Sequence, residues 1–95
     1  MTTLVDIPSV TGNEGRICTV IAERLLPVFS VQGVQRIGNS LVVGQQTGRP
    51  LISFFGHTDT VPTQNNEVSR VENGRLFGVG ASDMKSGVAV MIHLL

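Results

Sequence analysis

The chain has few of the residues that characterise nucleic-acid-binding or disulfide-stabilised proteins. It contains no tryptophan or tyrosine, only four phenylalanines and one cysteine, and seven basic residues balance seven acidic ones. Surfaces that bind nucleic acid cluster lysine and arginine and stack bases on aromatic rings, so a nucleic-acid partner has little support. The single cysteine, Cys18, excludes an internal disulfide, and its apolar neighbours predict a buried structural thiol.

Long apolar runs and targeting features are also missing. No segment approaches the roughly 20 consecutive apolar residues that span a bilayer. The chain does not open on a basic region followed by an apolar core and a cleavage site, so we expect a cytoplasmic protein with no membrane partner. A hydrophobic fraction of 41% is enough for the core of one small domain.

Local patterns predict an α/β fold. Thr11 and Glu14 have capping-box spacing, and the apolar residues that follow predict a helix from about residue 14 to residue 26, ending near Pro27. Strands are expected at 31–37, 40–43, 51–55, 68–72 and 75–77, with turns at Gly38-Asn39 and Asn73-Gly74. The strand at 51–55 is apolar on both faces, which is typical of a covered strand in a mixed β-sheet flanked by helices.

The last eight residues, 88–95, are apolar almost all round. This pattern predicts a helix buried in a larger body, and the helix has no glycine cap or basic last turn. We therefore expect the chain to end inside an element.

A first candidate site follows the apolar segment that ends at Gly56. A period of two places His57 and Asp59 on the same side of an extended backbone. An imidazole can bind zinc through one ring nitrogen while a carboxylate accepts a hydrogen bond from the other. Asp59 can fill that role or orient a metal-bound water. The alternative is a solvated histidine at a strand end and a solvated aspartate in a turn.

A second candidate site is the glycine-rich segment at residues 78–87, which contains Asp83. A dinucleotide fingerprint requires glycine where Asp83 stands, and a P-loop requires glycine where Met84 precedes Lys85. Neither phosphate-binding motif fits, and a carboxylate in this loop favours a divalent cation. Lys85 can pair locally or add positive charge to the site, and we assign it no catalytic role.

The two segments together support a family resemblance. Gly-His-Thr-Asp-Thr-Val-Pro at 56–62, and Gly-x-Gly-x-x-Asp-Met-Lys-Ser-Gly at 78–87, resemble the two amino-terminal signatures of the dizinc aminoacylase, desuccinylase and deacetylase metallopeptidases. The segment at 7–14 resembles the opening of the same family. The resemblance implies that His57 is a ligand to one zinc ion, that Asp59 is the catalytic carboxylate behind it, and that Asp83 bridges two zinc ions. It also implies a cis peptide after Asp83.

Within this family the likeness is greatest to the succinyl-diaminopimelate desuccinylases. It rests on the Gly-Asn entry to a strand at 36–43 and on the short segment at 63–70. Zinc, with Co²⁺ as an alternative ion, and a small N-acyl amino-acid substrate are the implied cofactor and partner. Acetylornithine deacetylases and other dizinc carboxypeptidases or aminoacylases remain alternatives.

The ligands in this chain are too few for a complete site. A catalytic zinc generally takes three protein ligands and keeps one open position, whereas the resemblance assigns only His57 and Asp83. We expect residues 1–95 to form the amino-terminal portion of a zinc-peptidase-like catalytic domain, truncated and inactive alone. The resemblance also implies a homodimer of the intact enzyme, through a domain absent here. A non-catalytic, partner-binding remnant and a simple metal-binding module are the alternatives of another class.

Overall fold

The structure is a computed structural model that describes residues 1–44 and 48–95. The order of elements is short helix, long helix, hairpin, hairpin and helix. Their bounds are α1 Thr2–Asp6, α2 Gly15–Gly33, β1 Val34–Ile37, β2 Ser40–Val43, β3 Arg70–Glu72, β4 Arg75–Phe77 and α3 Ser86–Leu94, with a π-helical turn at Ala81–Lys85 before α3. Helices and strands are thus both present, as the sequence predicts. Part of the expected polar loop, residues 45–47, lies outside the described residues.

The long helix α2 forms where the sequence predicts an apolar stripe. Ile17, Ile21 and Leu25 are buried at spacings of four residues, and Cys18 beside them is 2% exposed, so the buried thiol is confirmed. The predicted end at Pro27 is wrong, because α2 continues through this residue to Gly33. A proline removes one backbone donor but need not end a helix whose apolar stripe is packed. The helical geometry is interrupted at Ser30 instead, where φ is 61° and ψ is 175°.

The predicted capping box does not form. Glu14 is the residue before the helix and makes no capping hydrogen bond. Instead, its Oε1 accepts a hydrogen bond from the backbone N–H of Gly12, at 2.7 Å. The hydroxyl of Thr11 is directed elsewhere, to the carboxylate of Asp59. Tertiary contacts therefore override the local spacing on which the prediction depends.

Both predicted hairpins are present. β1 pairs with β2 in an antiparallel register that sets Ile37 opposite Ser40, although residues 31–33 belong to α2 and not to the predicted strand. β3 pairs with β4, and Asn73 and Gly74 both have positive φ, at 51° and 74°. Two consecutive positive φ angles are typical of the type I′ turn that Asn-Gly favours.

The expected mixed β-sheet is not observed among the described residues. They form two separate two-stranded antiparallel sheets, with one isolated parallel bridge between Val10 and Thr60. Residues 51–55 belong to no strand in this part of the chain, and Phe55 is 88% exposed. A strand needs a hydrogen-bonding neighbour and cover on its apolar faces, and the described residues supply neither for this segment.

The core lies between α2, the segment around α1, and the start of α3. Its buried apolar cluster consists of Leu4, Ile7, Ile17, Ile21, Leu25, Val34 and Val88. The helix α3 is less buried than its composition predicts, because Val90 and Leu94 are 58% and 72% exposed. Among the described residues, no helix has the length and apolarity needed to cross a membrane.

Candidate functional site

The first candidate loop carries His57 and Asp59 at the surface. The imidazole Nδ1 of His57 lies 3.2 Å from Oδ1 of Asp59 and 3.3 Å from the backbone carbonyl oxygen of the same residue. The two side chains therefore lie on the same side of the chain, as the period of two predicts. The side chains of His57 and Asp59 are 46% and 37% exposed, respectively.

The second candidate loop brings Asp83 against the same imidazole. Oδ1 of Asp83 lies 3.1 Å from Nε2 of His57, although the two residues are 26 positions apart. The peptide between Asp83 and Met84 is cis, as the resemblance implies. Because the side chain of Asp83 is 88% exposed, its position is set by the loop backbone and by His57.

A glycine allows the second loop to approach the first. Gly80 has a φ of +75°, and a Cβ atom at this position would lie 2.6 Å from Cγ2 of Thr60. Real Cβ atoms do not approach another carbon that closely, so a side chain at position 80 would push the two loops apart. The amide of Lys85 closes the turn by donating to the carbonyl oxygen of Gly80, at 2.9 Å.

A third segment, residues 9–11, holds the first loop from the other side. The amide of Thr60 donates to the carbonyl oxygen of Ser9, and the amide of Thr11 donates to the carbonyl oxygen of Thr60, at 2.9 and 3.1 Å. The hydroxyl of Ser9, which is 1% exposed, donates to the carbonyl oxygen of Thr58 at 2.6 Å. These bonds make residues 58–60 a fixed support for the side chain of Asp59.

The side-chain hydroxyl of Thr11 adds a direct contact to the site. It donates to Oδ2 of Asp59 at 2.7 Å, so the two carboxylate oxygens have different partners, Thr11 on one side and His57 on the other. This hydrogen bond is the main cause that lowers the pKa of Asp59 below its ordinary value, and the nearby imidazole lowers the pKa further. Asp59 is therefore an ionised acceptor at neutral pH.

Lys85 lies beneath the site and does not line it. Its side chain is fully buried, and Nζ donates to the carbonyl oxygen of Ile7 at 2.9 Å. Burial lowers the pKa of this ammonium group, and the charge of Asp6 opposes that shift. Lys85, for which the sequence allows either local pairing or a charge at the site, thus connects the second loop to the beginning of the chain.

The three candidate residues surround one open depression. The cavity has a volume of about 400 Å³ and is lined by residues of all three segments, including Thr11, His57, Asp59, Thr60 and Asp83. A larger depression, of about 570 Å³, lies on the second hairpin between Arg70, Arg75 and Phe77. Of these two, the first combines an imidazole with two carboxylates, so it is the candidate site.

The donor atoms of this site suit a metal ion in kind but not in number. An imidazole nitrogen and a carboxylate oxygen are ordinary zinc ligands with bond lengths of roughly 2 Å, and the 3.1 Å between Nε2 and Oδ1 lets one ion contact both. Among residues 1–44 and 48–95, no group of three or more His, Cys, Asp or Glu side chains is arranged to hold a metal. The described residues therefore bring together fewer donor groups than the three that a catalytic zinc generally takes.

Sequence reasoning misses two of the residues that shape this arrangement. Ser9 stands out only as part of the opening segment, and Thr11 is interpreted as a helix cap, because Ser/Thr-x-x-Glu is the local signature of a capping box. Their contacts join residues about 50 positions apart. No local spacing signals such a contact.

Most of this chain is similar in sequence to known proteins. Residues 54–95 match the sequence profile of the peptidase family M20/M25/M40. A succinyl-diaminopimelate desuccinylase of Corynebacterium glutamicum is 44% identical over 95 residues, which cover 95% of this chain and 25% of the relative.

Two further relatives are similar over comparable lengths. A Mycobacterium tuberculosis protein, provisionally named succinyl-diaminopimelate desuccinylase DapE, is 41% identical over 96% of this chain and 26% of its own length. A succinyl-diaminopimelate desuccinylase of Methylorubrum extorquens is 38% identical over 94% of this chain and 27% of its own length. The chain spans about a quarter of the length of the curated relatives it matches.

Proposed function

Because this chain belongs to the peptidase family M20/M25/M40, we propose that it carries part of the metal site of an amidohydrolase that cleaves a small N-acyl amino acid. The observation that supports this proposal is the meeting of His57 and Asp83 at 3.1 Å. Two loops that are distant in sequence bring together an imidazole nitrogen and a carboxylate oxygen, which are atom types that bind zinc, and a second carboxylate lies behind the imidazole. Each relative described above is named as a succinyl-diaminopimelate desuccinylase. We therefore propose N-succinyl-diaminopimelate as the first candidate substrate and acetylornithine as the second.

The chain's own residues have distinct roles in this proposal. His57 would bind a zinc or cobalt ion through Nε2, and Asp83 would bind it through its carboxylate and bridge to a second ion. Asp59, whose Oδ1 lies 3.2 Å from Nδ1 of His57, would accept a hydrogen bond from Nδ1–H and so would leave Nε2 available as the metal ligand. When bound, such ions lower the pKa of a coordinated water and polarise the scissile carbonyl.

The remaining parts of the site would come from other residues. A proton-transferring carboxylate and further metal ligands are required for amide hydrolysis, and no third ligand joins His57 and Asp83 among the described residues. We propose that the chain corresponds to the amino-terminal portion of the catalytic domain, which fits its coverage of about a quarter of the relatives. The 95-residue chain alone should then bind metal weakly and hydrolyse nothing.

Metal binding by point variants tests the assigned roles. Asp83→Ala should abolish measurable Co²⁺ or Zn²⁺ binding, because it removes a ligand, whereas Asp59→Asn keeps both ligands and should leave binding measurable and about tenfold weaker. Isothermal titration calorimetry of the 95-residue chain measures both effects. Glu67→Gln is the matched control, since this exposed carboxylate lies outside the site and its loss should change nothing.

Two outcomes would contradict the proposal. Loss of metal with Asp59→Asn but not with Asp83→Ala would exchange the two roles. Tight binding of two ions together with turnover of N-succinyl-diaminopimelate by the 95-residue chain would show that the site is complete without further residues.

A further inference from the structure

We infer that Thr11 is a positioning residue for the metal site, acting through Asp59 on His57. This inference rests on the proposed function and adds to it a residue from a third segment of the chain. The hydroxyl of Thr11 donates to Oδ2 of Asp59 at 2.7 Å, and Oδ1 of the same carboxylate faces Nδ1 of His57 at 3.2 Å. One carboxylate thus connects a hydroxyl to an imidazole.

The geometry of the hydroxyl favours the carboxylate over its other neighbour. The same Oγ1 atom lies 3.4 Å from the carbonyl oxygen of Thr60, which is at the limit of a hydrogen bond. A hydroxyl that donates to an ionised carboxylate makes a shorter and stronger bond than one that donates to a neutral carbonyl. The principal partner of Thr11 is therefore Asp59.

The backbone around Thr11 is held independently of its side chain. The amide of Thr11 donates to the carbonyl oxygen of Thr60, and Ser9 makes two further bonds to residues 58–60. Removing the hydroxyl should therefore leave the segment in place while releasing one oxygen of Asp59. This separation distinguishes a positioning role from a role in holding the two loops together.

A carboxylate with one free oxygen can rotate about its terminal bond, because that torsion is broad. Rotation would move Oδ1 away from Nδ1 of His57 and weaken the preference for the tautomer with hydrogen on Nδ1. The metal-facing Nε2 would then carry the lone pair less often. Groups that orient a metal-binding histidine typically change metal affinity by roughly 10–100-fold when they are removed.

The test compares Thr11→Val, which keeps the shape and removes the hydroxyl, with Thr11→Ser, which keeps the hydroxyl. We expect the metal-free 95-residue chain and Thr11→Ser to show a hydrogen-bonded Nδ1–H signal of His57 in ¹⁵N-edited NMR spectra. Thr11→Val should weaken that signal through solvent exchange, because the backbone carbonyl oxygen of Asp59, 3.3 Å from Nδ1, is then the fixed acceptor that remains. In zinc titrations Thr11→Val should bind about tenfold more weakly, and Thr11→Ser within about twofold of the unaltered chain.

Two control variants separate this role from structural effects. Ser9→Ala removes a hydroxyl bond between the same loops without touching Asp59, and it should leave the His57 signal unchanged. Thr19→Val repeats the chemical change on α2, where the hydroxyl bonds to the carbonyl oxygen of Gly15. An unchanged His57 spectrum in Thr11→Val, or equal losses in Thr11→Val and Ser9→Ala, would overturn the inference.

The NMR measurement keeps this inference separate from the proposed function. If the unaltered chain binds no zinc but Thr11→Val still weakens the Nδ1–H signal, the metal assignment fails while the positioning role is supported. If zinc binds and Thr11→Val changes neither affinity nor spectrum, the metal assignment is supported and the positioning role is wrong.

Discussion

At the scale of single residues, three ionisable groups lie where the beginning of the chain meets the second half. Asp6 accepts hydrogen bonds from the backbone N–H and the hydroxyl of Ser69, at 2.6 and 2.9 Å, and Asp59 accepts one from Thr11. Both carboxylates have a pKa lowered by these bonds. Lys85, which is buried and tied to Ile7, supplies the cation of the region. These contacts join residues 6–11 to the second half of the chain, and sequence patterns do not predict them.

The lowered pKa of Asp6 makes its contribution to stability depend on pH. A carboxyl group whose pKa is lower in the folded state stabilises the fold above its ordinary value, here 3.8, and loses that contribution as the pH falls through the folded pKa. We expect the difference in unfolding free energy between the unaltered chain and Asp6→Asn to be largest near neutral pH and to shrink below 3.8. Urea unfolding across this range measures it.

Glu67→Gln is the control for this titration. Glu67 is exposed and contacts no partner named above, so its substitution should change the unfolding free energy little. A difference for Asp6→Asn that grows on acidification would contradict the assignment, because it would require a raised pKa in the folded state.

At the scale of elements, the loop before α3 is shaped by its close approach to the loop at residues 57–60 as well as by its own turn. Gly80 needs a left-handed backbone, and it also borders Thr60 of the first loop. Gly38, in the turn between β1 and β2, has a similar φ of +61°, but a Cβ atom at this position would meet no heavy atom within 4 Å. Comparing substitutions at the two glycines therefore separates the cost of a left-handed backbone from the cost of a steric clash.

Gly80→Ala should destabilise the fold more than Gly38→Ala does. Both variants incur the cost of a left-handed alanine, about 1 kcal/mol, and Gly80→Ala adds a clash with Thr60 that raises the total to about 2–3 kcal/mol. Chemical unfolding followed by circular dichroism measures both. Equal losses of unfolding free energy in the two variants would mean that the loops separate without cost. The close approach at Gly80 would then not hold Asp83 in place.

At the scale of the whole molecule, an extended apolar segment is left uncovered by the described residues. Within residues 51–55, Ile52, Phe54 and Phe55 are 81%, 74% and 88% exposed. The segment belongs to no sheet among residues 1–44 and 48–95. A contiguous exposed apolar segment of this kind is a site of association.

We expect the 95-residue chain to self-associate through this segment. Phe55→Lys should weaken association by at least roughly tenfold, because burial of one phenylalanine contributes about 1.5–3 kcal/mol. Sedimentation velocity over a range of concentrations measures the effect. Val28→Lys is the control, since Val28 is also exposed, at 64%, but belongs to α2 and not to the segment. A monomer at all concentrations, or equal effects of both variants, would contradict the expectation.

Much of the local structure could be predicted from the sequence. Both hairpins, the buried face of α2 and the pairing of His57 with Asp59 depend on residues close together in the chain, where periodicity and turn chemistry act directly. The predictions of a helix end at Pro27, a capping box and a strand at 51–55 are wrong. Each of these depends on what packs or pairs with the segment, and neighbouring sequence does not contain that information.

The sequence by itself determined which chemistry is available: an imidazole with a carboxylate two residues later, and a second carboxylate in a glycine-rich loop. Only the tertiary structure decided that Nε2 of His57 meets Asp83 and that Thr11 binds Asp59. The physical reason is that side-chain types and backbone preferences are local properties. Contacts between residues 26 and 48 positions apart depend instead on how buried residues such as Lys85 and Ser9 fix the loops against one another.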